Sequence, residues 1–236
     1  NFNEDLIEAN ITKKTKAILA VHLNGKMTNI VKIKKICRKY KLKFIEDAAQ
    51  AFGSKNLRGY LGTQSDIGCF SLSIPKIITT GQGGFVVTNN NRIAEKMKLI
   101  RTHSILNVNN FEKWNYLGFN FRYTDIQASI GIEQLKIINK RKKSLIDIYK
   151  KYRDKLVNKN FKLIPVDVDN GEIPIYAEFL VNNRNNVIHY LQNKNIETRP
   201  FYPNLNKAKY LYDSNQVLKD DNLYSKKGLF LPSGPD

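Results

Sequence analysis

Short apolar runs alternate with amphipathic stretches through the first half of the chain. Ala17-Ile18-Leu19-Ala20-Val21 predicts a buried strand over 16–22, and Asn24-Gly25 after it reads as a turn. Asn29 is placed to cap a helix running through Tyr40, in which Ile30, Ile33, Ile36 and Cys37 recur at helical spacing. Further strands are predicted at 43–46, 67–71 and 85–88. An amphipathic helix is predicted at 92–100, with Ile93, Met97 and Ile100 on one face. A short helix is also expected ahead of the first strand. Strands alternating with helices predict an α/β fold, a mostly parallel sheet flanked by helices. In such sheets ligands gather beyond the carboxyl ends of the strands.

The pattern changes at residue 124. Thr124 and Gln127 have the spacing of a capping pair, and Ile126, Ile130, Leu135 and Ile138 predict one extended helix to about Tyr152. Its basic run, Lys140-Arg141-Lys142-Lys143, reads as a solvated face. This helix is expected to bridge to a second, smaller α+β domain. That domain has predicted strands at 161–165, 173–181 and 196–199, and helices at 185–194 and 215–227. The expected division is 1–145 and 146–236. The first residue is Asn rather than Met, and Leu231-Pro232-Ser233-Gly234-Pro235-Asp236 reads as a turn with no element after it. Both domains are therefore expected to be incomplete, the chain being a fragment of a longer protein.

Composition narrows the function classes. The hydrophobic fraction of 42% and charged fraction of 25% suit a globular chain. No apolar run approaches the ~20 residues of a membrane span, so no membrane partner is expected. The net charge of +18 is mostly lysine scattered among asparagines, without an arginine–aromatic cluster. It reads as compositional bias, and no nucleic-acid partner is expected. A positive field of this kind would also attract a doubly negative substrate such as a sugar nucleotide. Cys37 and Cys69 are too few for a disulfide framework or a four-ligand zinc site, and suit the core of a protein in a reducing, cytoplasmic compartment. His22, His103 and His189 lie far apart without ligand spacing, so each is expected to be structural and no metal is expected.

One constellation carries chemistry. Phe44-Ile45-Glu46-Asp47-Ala48-Ala49-Gln50-Ala51 sets a carboxylate, Asp47, at the end of a strand, with Gln50 three residues on among small alanines. Ser71 and Lys76 follow, five residues apart, ahead of Gly81, Gly83 and Gly84. A carboxylate, a hydroxyl and a lone amine are what pyridoxal phosphate asks of a protein. The acid keeps the pyridine nitrogen protonated, the donor holds the phosphate, and the lysine forms the Schiff base. Singly, each has a plainer reading. Asp47 could simply cap a turn, Lys76 is one lysine among many, Ser71 is commonplace, and the glycines fit a hairpin. The glycine run lacks a Gly-Lys-Ser/Thr ending and precedes a strand, so it is not a nucleotide-type phosphate loop.

In order and spacing these pieces resemble the DegT/DnrJ/EryC1/StrS sugar aminotransferase family, fold-type I pyridoxal phosphate enzymes. The likeness spans the chain. It includes Ala20-Val21-His22-Leu23-Asn24-Gly25, Glu46 to Ala51, Asp66 to Ser71, Lys76 to Thr88, Gly118 to Ala128, Glu197-Thr198-Arg199-Pro200 and Leu231 to Pro235. The run from Lys76 to Gly81 looks most like the branch resembling perosamine synthase. The resemblance implies that Lys76 is the Schiff-base lysine and proton shuttle, and that pyridoxal 5′-phosphate is the cofactor. Asp47 would pair with the pyridine nitrogen, Gln50 with the ring hydroxyl and Ser71 with the phosphate. It also implies a homodimer with a shared active site, in which Asn120, with Arg122 a weaker candidate, reaches the partner's phosphate. The implied reaction moves an amino group from glutamate to a nucleotide-linked keto-deoxy sugar. Related dehydratases carry a histidine where Lys76 stands, so the lysine favours amino transfer.

The chain also departs from the family pattern. Members carry a Gly-Thr-type turn and a ring-stacking aromatic upstream of the residue equivalent to Asn1, and a final helix beyond Asp236. Ser73-Ile74-Pro75 replaces a more usual aromatic and small polar residue. The 236-residue chain alone is therefore expected to be inactive. The competing expectation is a catalytically inactive fragment that serves only as a binding or interaction module.

Overall fold

A computed structural model of the chain describes residues 3–105, 107, 109, 116–210 and 219–234. It divides into two compact units, Asn1–Lys140 with Asp167–Ile173, and Arg141–Val166 with Pro174–Asp236. The segment 167–173 thus belongs with the first unit, an excursion that no composition change marks.

The first unit is built on four strands, β1 (Ala17–Val21), β2 (Lys43–Asp47), β5 (Ile67–Ser71) and β6 (Gly84–Val87), in the order β1-β2-β5-β6. β1, β2 and β5 run parallel, and β6 returns antiparallel to β5. Between β2 and β5 sits a two-residue hairpin, β3 (Lys55–Asn56) with β4 (Gly59–Tyr60). Helix α1 (Ile30–Tyr40) makes the crossover from β1 to β2. Asn29 accepts the Lys32 N–H at 3.1 Å and starts it, and left-handed Lys41 ends it. Its Ile30, Ile33, Ile36 and Cys37 are buried in one cluster with Ile18 and Ala20 of β1 and Phe44 of β2. Each such aliphatic side chain contributes roughly 1.5–3 kcal/mol on burial, and their single face is why this segment is helical. α2 (Asn91–Arg101) follows β6, with Asn90 as its cap.

The expected helix ahead of β1 is instead two short 3₁₀ turns, Glu4–Leu6 and Glu8–Asn10. Ile7 and Ile11 pack against the core, four residues apart, while the polar residues between them stay at the surface. The single long helix expected from 124 is two, α3 (Asp125–Lys136) and α4 (Ile138–Leu156). Ile137 leaves the helical region with φ −103° and ψ 2°. The junction is two β-branched residues in a row, Ile137 and Ile138, a weak point that hydrophobic spacing alone does not reveal.

The second unit is α+β. A fully antiparallel sheet has the order β7 (Phe161–Leu163), β8 (Ala177–Val181), β10 (Gly228–Leu231), β9 (Arg199–Pro200). With it go α4, α5 (Arg184–Gln192) and α6 (Lys219–Lys227). Phe179, Val181 and Leu229 form its dry centre, and Tyr152 meets Phe179 edge-on at 5.6 Å. The Tyr149 hydroxyl accepts the Val166 N–H at 2.8 Å. The strand expected over 173–181 begins only at Ala177, after Pro174, and the one expected at 196–199 is the short β9. β10 lies between the expected helix, which ends at 227, and the expected terminal turn, which begins at Leu231, and no strand was expected there, yet it is a central strand of this sheet. Residues 215–218 of the last expected helix, and Pro235 and Asp236, lie outside the described residues.

Ile33→Ala should cost about 2–5 kcal/mol of unfolding free energy, because the side chain is fully buried on α1. Val31→Ala on the exposed face of the same helix should stay within about 0.5 kcal/mol. Urea denaturation of the two variants checks the direction in which α1 packs.

Candidate cofactor site

The carboxyl ends of β2 and β5 carry most of the chemistry. Asp47 is the last residue of β2, in register with Val21 on β1 and Cys69 on β5. Its backbone is gripped from both sides, since the His22 N–H donates to the Asp47 carbonyl at 2.9 Å and the next N–H, of Ala48, donates to the Cys69 carbonyl at 2.8 Å. Its Oδ1 accepts the Ala49 N–H at 2.9 Å, which fixes the carboxylate.

Gln50 stands in the same β2 loop. Its Oε1 accepts the Asn24 N–H at 2.9 Å, so the side chain is oriented and offers its amide hydrogens as donors. Asn24 takes a left-handed conformation, φ 53° and ψ 39°, and Gly25 follows at φ 75°. Only glycine fits there, because a Cβ would fall 1.9 Å from the Ile173 carbonyl oxygen.

Ser71 ends β5. Its Oγ lies 3.0 Å from the Ser73 Oγ and accepts the Ser73 N–H at 3.3 Å, placing two hydroxyls side by side. The segment from Leu72 to Gly83 is fastened at its base. Leu72 donates its N–H to the Gly83 carbonyl at 2.9 Å, and its own carbonyl accepts from the Thr80 N–H at 2.9 Å and the Thr79 hydroxyl at 3.1 Å. Ile77 and Ile78 are buried, whereas Ile74 and Pro75 are exposed. The Gln127 side chain, which completes the capping box of α3, also donates to the Gln82 carbonyl at 3.0 Å. Tyr123 lies over Gly83, where a Cβ would approach its ring to 2.8 Å.

Lys76 sits in this fastened segment, half-buried, with its N–H on the Ser73 carbonyl at 3.1 Å. Burial pushes its amine below the ordinary lysine range, and the charge of Asp47 partly opposes that fall. Burial raises the Cys69 thiol, and the same Asp47 charge raises it further. Acid and amine are therefore within electrostatic reach of each other, at the same end of the sheet as Gln50 and Ser71. Asn120 is not joined to these four by a hydrogen bond. It is exposed, held in a backbone bridge opposite Thr102, and its Oδ1 accepts from Arg122 Nε at 3.0 Å.

A further pair beneath the site was not singled out from the sequence. His22 and Glu46 are both fully buried, their side chains 2.9 Å apart. The Thr28 N–H donates to His22 Nδ1 at 3.2 Å, which assigns the ring proton to Nε2 and makes Nε2 the donor to Glu46 Oε1. Glu46 also accepts the Gly62 N–H at 2.9 Å and the Gln64 N–H at 2.7 Å. Burial pushes the Glu46 carboxyl up, but the bonds from His22, Gly62, Ser65 and Gln64 outweigh it and hold the group below the ordinary range. The signal was available. In β2, Phe44 and Glu46 share the inward face, so a charge stands where the strand's period demands an apolar residue. Among the described residues no group of histidine, cysteine, aspartate and glutamate is arranged to hold a metal, and no helix is long and apolar enough to cross a membrane.

A sequence model described as the DegT/DnrJ/EryC1/StrS aminotransferase family matches residues 1–236. The chain is 38% identical over 214 residues to the uncharacterized protein MJ1066 of Methanocaldococcus jannaschii, covering 84% of this chain and 55% of that one. It is 36% identical over 235 residues to a GDP-perosamine synthase of Escherichia coli O157:H7, covering 97% and 63%. Among solved structures it is similar to Helicobacter pylori PseC, an aminotransferase involved in the biosynthesis of pseudoaminic acid. That match has a TM-score of 0.89 at 27% identity, over 100% of this chain and 66% of the other. The chain thus spans 55% to 66% of the lengths of these three proteins.

Lys76 should be acylated at lower pH than Lys39, whose hydrogen bond to Glu8 holds its amine protonated. Asp47→Asn removes the charge that opposes the fall, so the Lys76 profile should move lower still. Competitive acetylation across pH, read peptide by peptide by mass spectrometry, checks both; coincident profiles for Lys76 and Lys39 would refute the local environment described.

Proposed function

We propose, starting from the fact that this chain belongs to the DegT/DnrJ/EryC1/StrS aminotransferase family, that it moves an amino group from glutamate to a nucleotide-linked keto-deoxy sugar with pyridoxal 5′-phosphate. Its fold is that of the fold-type I sugar aminotransferases, a mostly parallel α/β sheet flanked by helices. The observation that carries the reading is that Asp47 ends β2 while the half-buried Lys76 sits in the fastened segment that follows β5, so acid and amine lie on the carboxyl-end side of neighbouring parallel strands.

The residues present fit the cofactor. Asp47 has one oxygen tied to Ala49 and one to spare for a ring nitrogen. Gln50 offers an oriented amide donor to a ring hydroxyl. Ser71, beside Ser73, is a hydroxyl donor for a phosphate. When bound, pyridoxal phosphate supplies an aldehyde and an electron-withdrawing ring that takes up the electron pair of a broken C–H bond. Lys76, half-buried, is the residue that would hold the cofactor's aldehyde carbon through its amine. That amine would also carry the proton between cofactor and substrate carbons, and burial leaves more of it unprotonated and able to accept one. The charge of Asp47 would favour a protonated ring nitrogen.

Relatives named GDP-perosamine synthase support a sugar nucleotide as acceptor, and the +18 net charge suits such an anion. A lysine at 76 supports amino transfer over dehydration. We further assign the working unit as a homodimer with a shared site, Asn120 reaching the second copy's phosphate. Exposed Phe119, Phe121, Ile126 and Leu135 around and beyond Asn120 support that assignment. The free thiols of Cys37 and Cys69 suit a cytoplasmic setting.

On adding pyridoxal phosphate, the full-length protein should develop a visible absorbance band, and borohydride should then fix the cofactor mass to the peptide containing Lys76. Lys76→Ala should abolish both. Glutamate should bleach the band and 2-oxoglutarate restore it. A band that survives Lys76→Ala would end the proposal, and cofactor uptake without bleaching by glutamate would favour the binding-module reading.

A further inference from the structure

We infer that the buried His22–Glu46 pair positions Asp47 and Gln50 of the candidate cofactor site, an inference that rests on the function proposed above. The pair is linked to both residues along short stretches of backbone. Glu46 is the neighbour of Asp47 in β2, and the His22 backbone N–H holds the Asp47 carbonyl at 2.9 Å. Two residues beyond His22, the Asn24 N–H holds the Gln50 amide oxygen at 2.9 Å. The imidazole also fixes the far side of this turn, because its Nδ1 accepts the Thr28 N–H.

Nothing in this arrangement is explained by packing alone. A carboxylate with no solvent exposure is costly unless donors surround it, and an apolar pair of the same volume would fill the space without that cost. What the polar pair adds is direction. His22 has one acceptor and one donor nitrogen, so its ring is held in a single orientation between Thr28 and Glu46. Glu46 is held in turn by the N–H groups of Gly62 and Gln64. One side-chain pair thereby joins the β1 turn, the end of β2 and the segment leading into β5. A site residue is only as well placed as the groups that lock it, and here the lock is continuous from Thr28 to Gln50.

His22→Leu removes donor and acceptor at similar volume. His22→Gln keeps an acceptor and a donor at about the spacing of the two ring nitrogens, without the ring. With the protein loaded with pyridoxal phosphate, His22→Leu should weaken cofactor affinity about tenfold, the scale of one buried hydrogen bond lost, and shift the visible band. His22→Gln should recover most of both. A purely structural pair would lower the unfolding temperature of both variants while leaving band position and affinity untouched, and that result overturns the inference. If His22→Leu does not fold, Glu46→Gln serves, since either amide orientation leaves one donor facing another; a folded Glu46→Gln protein with unchanged affinity and band also overturns it. If the unmutated protein takes up no cofactor, the proposed function fails, and the positioning role is read by hydrogen exchange. Faster exchange of the Asn24 and Ala49 amides in His22→Leu, with Ile33 unchanged, supports it, and equal exchange at all three refutes it.

Discussion

A carboxylate with no access to water, kept ionised by donors that converge on it, is the constraint from which the first unit's working end is built. The Born cost of burying such a charge runs to several kcal/mol even after relaxation, so Glu46 is tolerable only while its donors are in place. Those donors come from two separated stretches of chain, at His22 and at Gly62 to Gln64. Folding them onto one group draws the ends of β1 and β2 and the hairpin region into a common arrangement. Asp47, the next residue along, inherits its place from that convergence.

The same logic of many small fixings governs the Leu72–Gly83 segment. Its base is closed by backbone bonds at Leu72, its middle by burial of Ile77 and Ile78, and its exit by Gln127 and Tyr123 of the α3 entrance. Lys76 is thus carried on a loop that has little freedom despite lacking regular structure. A lysine amine is flexible and strongly hydrated by default, and partial burial on a fixed base restrains Lys76 on both counts.

The strand–helix alternation of the first unit was plain in the sequence because each element buries one face, and Ile30, Ile33, Ile36 and Cys37 declare theirs openly. Asp47, Gln50, Ser71 and Lys76 stood out as candidates for a related reason, since each follows an apolar strand or precedes a glycine turn. The second unit was harder to read. Gly228–Leu231 follows a polar helix and is only four residues long, so its central place in the sheet depends on pairing with β8 and β9, which lie 28 to 51 residues upstream. The α3–α4 break escaped because hydrophobic spacing carries across it. His22 and Glu46 were passed over because each was judged alone, and their meaning lies in register between neighbouring strands.

β6 runs against β5 and lies beside it, so the lysine-bearing segment joins adjacent strands at one end of the sheet and never has to cross a face. A crossover must keep a helix of set length to reach the far end, whereas a connection of this kind answers only to its two anchor points. Insertions or deletions around Ile74 and Pro75 leave the threading of the chain intact. Lys76 therefore rides on a connection whose length the sheet does not set, while Asp47 is fixed in the middle of the sheet.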